Sequence, residues 1–440
     1  MRVQHTLLFL SSQLIGAVGL GFNLNTTKLP IYPLSTDSQF AFVLEEKLAL
    51  SNNHGANTGE VLRAASQIVP GDFESWYQEF TFLADQMRVF ANSTKNTLSA
   101  RNAHFRASSY YRTADFFLHG NDSDPRLITL WDNMLEDFSA AIKLLPLPAE
   151  KIEIRADGFT IPAYFYPADS ESQSSTGKRG CGGKKPTVLV GSGYDGSQEE
   201  LYHSIGAEII ARGWNFVTYE GPGQPTVRRQ QGLGFRPDWW NVVTPVVDYL
   251  ANRSDVDMSS LALGGFSFGG TLAPLAASRE HRFAAVLAID GLWSLQDSIE
   301  AQLPEQLVAI FNSGNETVFN YVVEEALASP DTPTNFRWLV EQGMWSFATT
   351  SPFDWFTRLG EINLDGVVPN ITAPVFVGQG QNDDSTRGQP EILAKALGDQ
   401  GYYYSFRTDL GAGEHCQLGA EAQLNQITLD WLEGVFEKAK

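Results

Sequence analysis

From Pro186 onward, short apolar runs alternate with helix-length amphipathic segments, and this alternation limits the fold more than any other feature of the chain. Residues 187–191, 215–219, 261–264, 284–289, 375–378 and 402–407 read as strands. Residues 198–212, 239–251, 268–279, 389–397 and 420–439 read as helices between and after them. Strands separated by helices make βαβ units, because a parallel neighbour is reached only by a long crossover. The expected fold class is α/β: a doubly wound, mostly parallel sheet with helices on both faces. Residues 151–155 and 160–166 flank Asp157-Gly158, a hairpin signal that opens this core. The alternation lapses at about 292–365, which reads as a helical insertion before the penultimate strand. Residues 36–150 read as a separate, mostly helical cap region, in which Asp72 caps the helix that carries Phe73, Trp76, Tyr77, Phe80, Leu83, Ala84 and Met87. The expected organisation is therefore an N-terminal extension over 1–35, a cap over 36–150, and a core over 151–440 containing the 292–365 insertion.

Within the core, Gly265-Phe266-Ser267-Phe268-Gly269 stands between an expected strand and an expected helix. G-x-S-x-G alone is weak, but the strand–turn–helix setting is what a nucleophile elbow requires. The glycines leave room for a strained serine backbone against the adjoining elements. A serine nucleophile needs a base, and only His281 and His415 follow it. His281 ends the helix that Ser267 opens, roughly 20 Å away at 1.5 Å per residue. His415 lies in the loop after the last strand, from which an imidazole can return to the sheet's carboxyl edge. The acid is expected at the end of the preceding strand, at Asp383, with Asp384 as the open alternative. Backbone N–H groups of Phe268 and of Tyr194, in the Gly191–Gly196 loop, are the candidate oxyanion donors. The turn Glu220-Gly221-Pro222-Gly223-Gln224 fits no phosphate-loop motif and reads as a structural turn. Scattered histidines give no metal-ligand spacing, so no metal is expected.

Composition narrows the partners. The chain has 31 Lys+Arg and 51 Asp+Glu, a net charge of -20, which phosphates repel. Nucleic acid is therefore not an expected partner, and no segment after the N-terminus has the run of about 18 apolar residues that a membrane span needs. A small-molecule substrate is expected; monomer and homodimer both stay open. Two cysteines, Cys181 and Cys416, are too few for a disulfide framework, though they could pair. Arg2, the apolar stretch 6–20 and Ala17-Val18-Gly19 fit a secretory leader with its cleavage site. N-x-S/T sequons at Asn25, Asn92, Asn121, Asn252, Asn315 and Asn370 accord with secretion, while an ordinary apolar segment in a cytoplasmic protein fits equally well.

Several segments carry a resemblance: residues 110–117 (YYRTADFF), Tyr219–Gln224, Phe235–Trp239 (FRPDW), the Ser267 elbow and Gly411–Cys416. Through these the chain resembles the α/β-hydrolases with a helical N-terminal cap. That branch includes 2,6-dihydroxypseudooxynicotine hydrolase, the fungal polyketide-shortening hydrolases of pigment biosynthesis and the fusarin-pathway hydrolase. The resemblance implies a Ser267–Asp383–His415 triad, no cofactor, and a substrate held between cap and core. It also implies Tyr111 and Arg112 as pocket liners, with helix packing and an ion pair to Asp115 as the equal alternative. The expected activity is serine hydrolysis of an ester, or of a carbon–carbon bond beside a carbonyl, on a hydrophobic polyketide-like substrate. A non-hydrolytic cyclase with the same serine, and a non-catalytic binder on the same fold, are the rivals.

Overall fold

A computed structural model of the protein describes residues 33–168 and 183–438. The leader-like N-terminus, the Asn25 sequon and Cys181 lie outside the described residues. Five helices come first: α1 (Ser38–Ala49), α2 (Thr58–Ala65), α3 (Phe73–Ser93), α4 (Thr97–Asp115) and α5 (Arg126–Lys143). Asp72 caps α3 by accepting from the N–H groups of Glu74 and Ser75. The apolar residues of α3 that recur at helical spacing, Trp76, Phe80, Leu83, Ala84 and Met87, are the ones it buries. They pack with Phe40 of α1, Tyr110 of α4 and Trp131 of α5 in one aromatic core.

The sheet follows as β1 (Glu150–Ala156), β2 (Phe159–Tyr166), β3 (Lys185–Gly191), β4 (Asn215–Tyr219), β5 (Val256–Phe266), β6 (Ala285–Ile289), β7 (Val375–Gly380) and β8 (Gly401–Phe406). Gly158 turns the β1–β2 hairpin at φ +84°. The spatial order is β1-β2-β4-β3-β5-β6-β7-β8, antiparallel in its first three strands and parallel thereafter. The chain leaves β3 to one side for β4 and returns on the other side for β5. The carboxyl ends of β3 and β5 thus lie together at a topological switch point, where open α/β sheets bind ligands.

Helices α6 (Ala207–Ala211), α7 (Pro225–Gln231), α8 (Trp240–Ala251), α9 (Gly269–Ala277), α15 (Gln389–Leu397) and α16 (Glu421–Lys438) cover the sheet; the insertion between β6 and β7 supplies α10 (Leu295–Glu300), α11 (Glu305–Asn312), α12 (Glu316–Ala328), α13 (Thr334–Ser346) and α14 (Pro352–Leu359). Two expected boundaries move, and one helix is present that the sequence did not announce. The helix expected from Gln198 begins at Tyr202 as a π-helical turn, with Gly206 against the Phe216 ring, where a Cβ would come within 2.3 Å. β5 starts at Val256, because Lys185 of β3 reaches that far along it. α7 follows directly on the Glu220–Gln224 turn, with Pro225 at its first position and Gly232 closing it in the left-handed region. No helix among the described residues is long and apolar enough to cross a membrane.

Candidate active site

The tight turn from β5 into α9 is made by small residues that nothing larger could replace. A Cβ on Gly265 would sit 1.8 Å from the Gly269 carbonyl oxygen, and one on Gly269 would sit 2.6 Å from that of Ser192. Between them Ser267 takes φ +57°, a conformation that costs a non-glycine residue about 1–3 kcal/mol. Its N–H donates to the Ile289 carbonyl on β6 at 2.9 Å, which fixes the turn against the neighbouring strand.

Ser267 Oγ lies 2.8 Å from His415 Nε2, and His415 Nδ1 lies 2.6 Å from Asp383 Oδ2. These three side chains come from three separate strand ends: β5, the loop after β8, and the turn after β7. Asp383 is 4% exposed, and its carboxylate also accepts from Ser385 N, Thr386 N and Thr386 Oγ1. Asp384 turns outward to Arg387 and takes no part in the chain. Burial disfavours charge on Asp383, but His415 and the Thr386 and Ser385 donors outweigh it and hold its carboxyl below the usual range. Burial likewise opposes a charged His415, yet Asp383 more than offsets this and holds the imidazole well above its ordinary value.

The β3 loop meets the elbow directly. A Cβ on Gly193 would lie 3.0 Å from both Phe268 N and Ser267 Cβ, so only glycine allows this approach. Neither the Phe268 nor the Tyr194 N–H donates to an acceptor among the described residues. Tyr194 is held from behind, its carbonyl accepting from Gln342 Nε2 at 3.1 Å and its hydroxyl donating to the Leu339 carbonyl at 3.2 Å. Gln224, in the turn read as structural, donates to the Ser192 carbonyl at 2.8 Å and so supports the same loop.

Above the serine is a cavity of about 720 Å³. Ser267, His415, Phe268 and Tyr194 form its floor, and Phe42 and Glu46 of α1 form one wall. Leu303, Leu307, Val323 and Phe336 of the insertion make an apolar wall. Glu46 and Asp195 add polar groups to the lining; burial raises both carboxyls above their ordinary range. Tyr111 and Arg112 do not line this cavity; of the two expected readings, pocket lining gives way to helix packing with an ion pair to Asp115. Tyr111 donates to Asp85 Oδ1 at 2.6 Å, and Arg112 is buried behind the β3 loop, donating to the Asp195 carbonyl and facing Asp115 at 3.8 Å. α4 is packed between α3 and α5, so its long side chains meet helices before they can meet a ligand.

Sequence reasoning also passed over Asp290, which follows β6. One of its oxygens, a His415 ring nitrogen and Cys416 Sγ lie within 4.8 Å of one another. Asp290 Oδ1 accepts from Gly380 N at 2.7 Å, and Oδ2 from Cys416 N at 2.7 Å and Gln417 Nε2 at 2.6 Å. Both His415 ring nitrogens and both Asp290 oxygens take part in hydrogen bonds within the protein. Burial and the neighbouring Asp383 push the Asp290 carboxyl up to about 7.

Comparison with known proteins gives the same fold and a named relationship. No family model matches the chain. The α/β hydrolase psoB of Aspergillus fumigatus is 31% identical over 307 residues, 67% of each chain. The 20-hydroxy-prefusarin hydrolase of Gibberella moniliformis is 32% identical over 285 residues, covering 62% of this chain and 66% of that one. The crystal structure of 2,6-dihydroxy-pseudo-oxynicotine hydrolase superposes with a TM-score of 0.69 at 19% identity, over 90% of this chain and 96% of that one.

Proposed function

Because the chain belongs to the α/β-hydrolases and is a hydrolase-type enzyme, we propose that it is a serine hydrolase acting on a carbonyl compound through Ser267, His415 and Asp383. The observation that carries this reading is the unbroken hydrogen-bond chain from Ser267 Oγ through His415 to Asp383, on the floor of a largely apolar cavity.

In the reactive form of the enzyme His415 is neutral, with Nδ1–H donated to Asp383 and Nε2 accepting from the serine hydroxyl. Ser267 Oγ attacks the substrate carbonyl carbon as His415 takes its proton, and Asp383 stabilises the imidazolium. The oxyanion is received by the N–H groups of Phe268 and Tyr194, which have no acceptor among the described residues. His415 then gives its proton to the leaving group, and an acyl-enzyme remains on Ser267. Water, deprotonated by His415, releases the acid. The leaving group is an alcohol for an ester. For a carbon–carbon bond it is an enolate, so that substrate needs a second carbonyl to accept the electron pair. The insertion's aliphatic wall favours a hydrophobic, polyketide-like small molecule of secondary metabolism.

The test is active-site titration of the purified protein with a fluorophosphonate, with the adduct located by peptide mass spectrometry. A single adduct on Ser267 that is lost in His415→Ala is expected. A folded protein that labels elsewhere, or labels equally well without His415, overturns the reading. Turnover in ¹⁸O water then separates hydrolysis from cyclisation, since only hydrolysis puts the isotope into the product acid.

A further inference from the structure

Asp290 is 0% exposed, and nothing in the proposed mechanism uses it. Its surroundings are nonetheless specific. The residue before it, Ile289, accepts the N–H of Ser267. Its own N–H donates to the Gly378 carbonyl of β7 at 3.0 Å, and its Oδ1 accepts from Gly380 N, three residues before Asp383. Its Oδ2 takes two donors from the residues that follow His415, Cys416 N and Gln417 Nε2. Residues 289–290 therefore touch all three strand ends that deliver the serine, the acid and the base.

The backbone shows what these bonds hold in place. Asp290, Cys416 and Gln417 have φ of +47°, +53° and +54°, left-handed values that side chains rarely adopt. Each costs about 1–3 kcal/mol and persists only when neighbours fix it. The Gln417 side-chain oxygen is buried without a partner among the described residues, so its donation to Asp290 is what orients that amide. Only a carboxylate suits the position. Gly380 N–H and Cys416 N–H reach opposite oxygens, so an amide would have to turn its NH₂ on one of them.

We infer that Asp290 is a positioning residue for the base: its carboxylate clamps the left-handed turn after His415 to the strand end before Asp383, and so sets the imidazole between Ser267 and Asp383. This rests on the serine-hydrolase reading above. It also places a second acidic group within 4.8 Å of His415, whose charge, where the group is ionised, stabilises the imidazolium. The other titratable groups facing Asp290 are Asp383, Cys416 and Tyr403, and they are unchanged in the variants below.

The experiment measures the rate of fluorophosphonate labelling of Ser267 against pH for wild type, Asp290→Asn, Asp290→Glu and Gln417→Leu, with thermal melts of each. Asp290→Asn is expected to lower the plateau rate at least about tenfold, and to move the half-maximal pH down by roughly one unit as the acidic neighbour is lost. Asp290→Glu, which keeps the charge, is expected to return the midpoint toward wild type. Gln417→Leu, which removes one donor and no backbone contact, is expected to slow labelling at least about threefold. Wild type that does not label at Ser267 overturns the triad reading and this inference with it. Wild type that labels, beside an Asp290→Asn protein with either the same rate or an unmoved midpoint, overturns the inference alone. If Asp290→Asn does not fold, Gln417→Leu decides, and wild-type labelling by that variant overturns the inference.

Discussion

Asp383 and Asp384 are adjacent in sequence and face opposite ways: Asp383 Oδ2 lies 2.6 Å from His415 Nδ1 in the interior, while Asp384 pairs with Arg387 at the surface. The turn after β7 separates them. Asp383 folds back to cap Ser385 N and Thr386 N, which points its neighbour outward. Asp383→Asn is expected to cut turnover or Ser267 labelling by about 10³–10⁴, because the amide favours the wrong imidazole tautomer. Asp384→Asn is expected to stay within about twofold, because an exposed ion pair contributes little. Labelling kinetics of the two variants side by side check this, and equal losses would contradict it.

The pH profile should carry the mark of Asp383. Activity needs neutral His415, and the adjacent carboxylate holds that imidazole above the ordinary histidine value of about 6.5. The acid limb of Ser267 labelling is therefore expected to rise with a midpoint above pH 6.5. In Asp383→Asn the midpoint should fall, since the charge that stabilises the imidazolium is gone.

Stability should decline on the alkaline side. Burial and nearby carboxylates push Glu45 and Asp290 up to about 7 and Glu199 up to about 8. Each is an acid whose folded value lies above its unfolded one, so folding is favoured while it is protonated. That contribution fades as pH rises from the ordinary carboxylate range through 7 to 8. Glu200, held down to about 2 where Lys47 and Arg112 outweigh its burial, works the other way and matters only as pH falls below about 4. The melting temperature is expected to be higher at pH 5.5 than at pH 8.5, and a calorimetric series giving the reverse order would contradict this.

Gly193→Ala probes the contact between the β3 loop and the elbow. The new Cβ would meet the Phe266 carbonyl oxygen at 2.9 Å and Phe268 N at 3.0 Å, both backbone atoms with little freedom to move. Overpacking of this kind costs about 1–3 kcal/mol of stability. Ser267 labelling is expected to fall by about 10²-fold, the scale of losing one oxyanion donor. Denaturant melts and labelling on the same preparation separate the two effects.

The strands and the elbow were legible in the sequence because their signals are local. Asp157-Gly158 turns a hairpin by its own conformational preference, and β4, rich in β-branched and aromatic residues, is bounded by Gly213 and Gly221. The start of β5 was not legible: residues 256–260 are half polar and become strand by pairing with β3. Asp290 was hidden for a related reason. Its donors lie 90, 126 and 127 residues away, and a lone aspartate after a strand has no periodicity to mark it. Tyr111 and Arg112 were drawn toward the cavity by resemblance alone. Their own helix face, turned to Asp85 and to the back of the β3 loop, was not readable from spacing. The choice between the two aspartates could not be made from spacing either, since it depends on which way one turn folds.

The cavity's floor and its walls come from different parts of the chain: the floor from strand ends, the walls from α1 and from the helices between β6 and β7. Changes in the wall residues leave the serine, the histidine and their supports untouched. Gene duplicates could thus diverge in substrate while inheriting unaltered chemistry. A mutational library confined to Phe42, Leu303, Leu307, Val323 and Phe336 would explore that divergence in the laboratory, with Ser267 labelling as the selection that discards broken machinery.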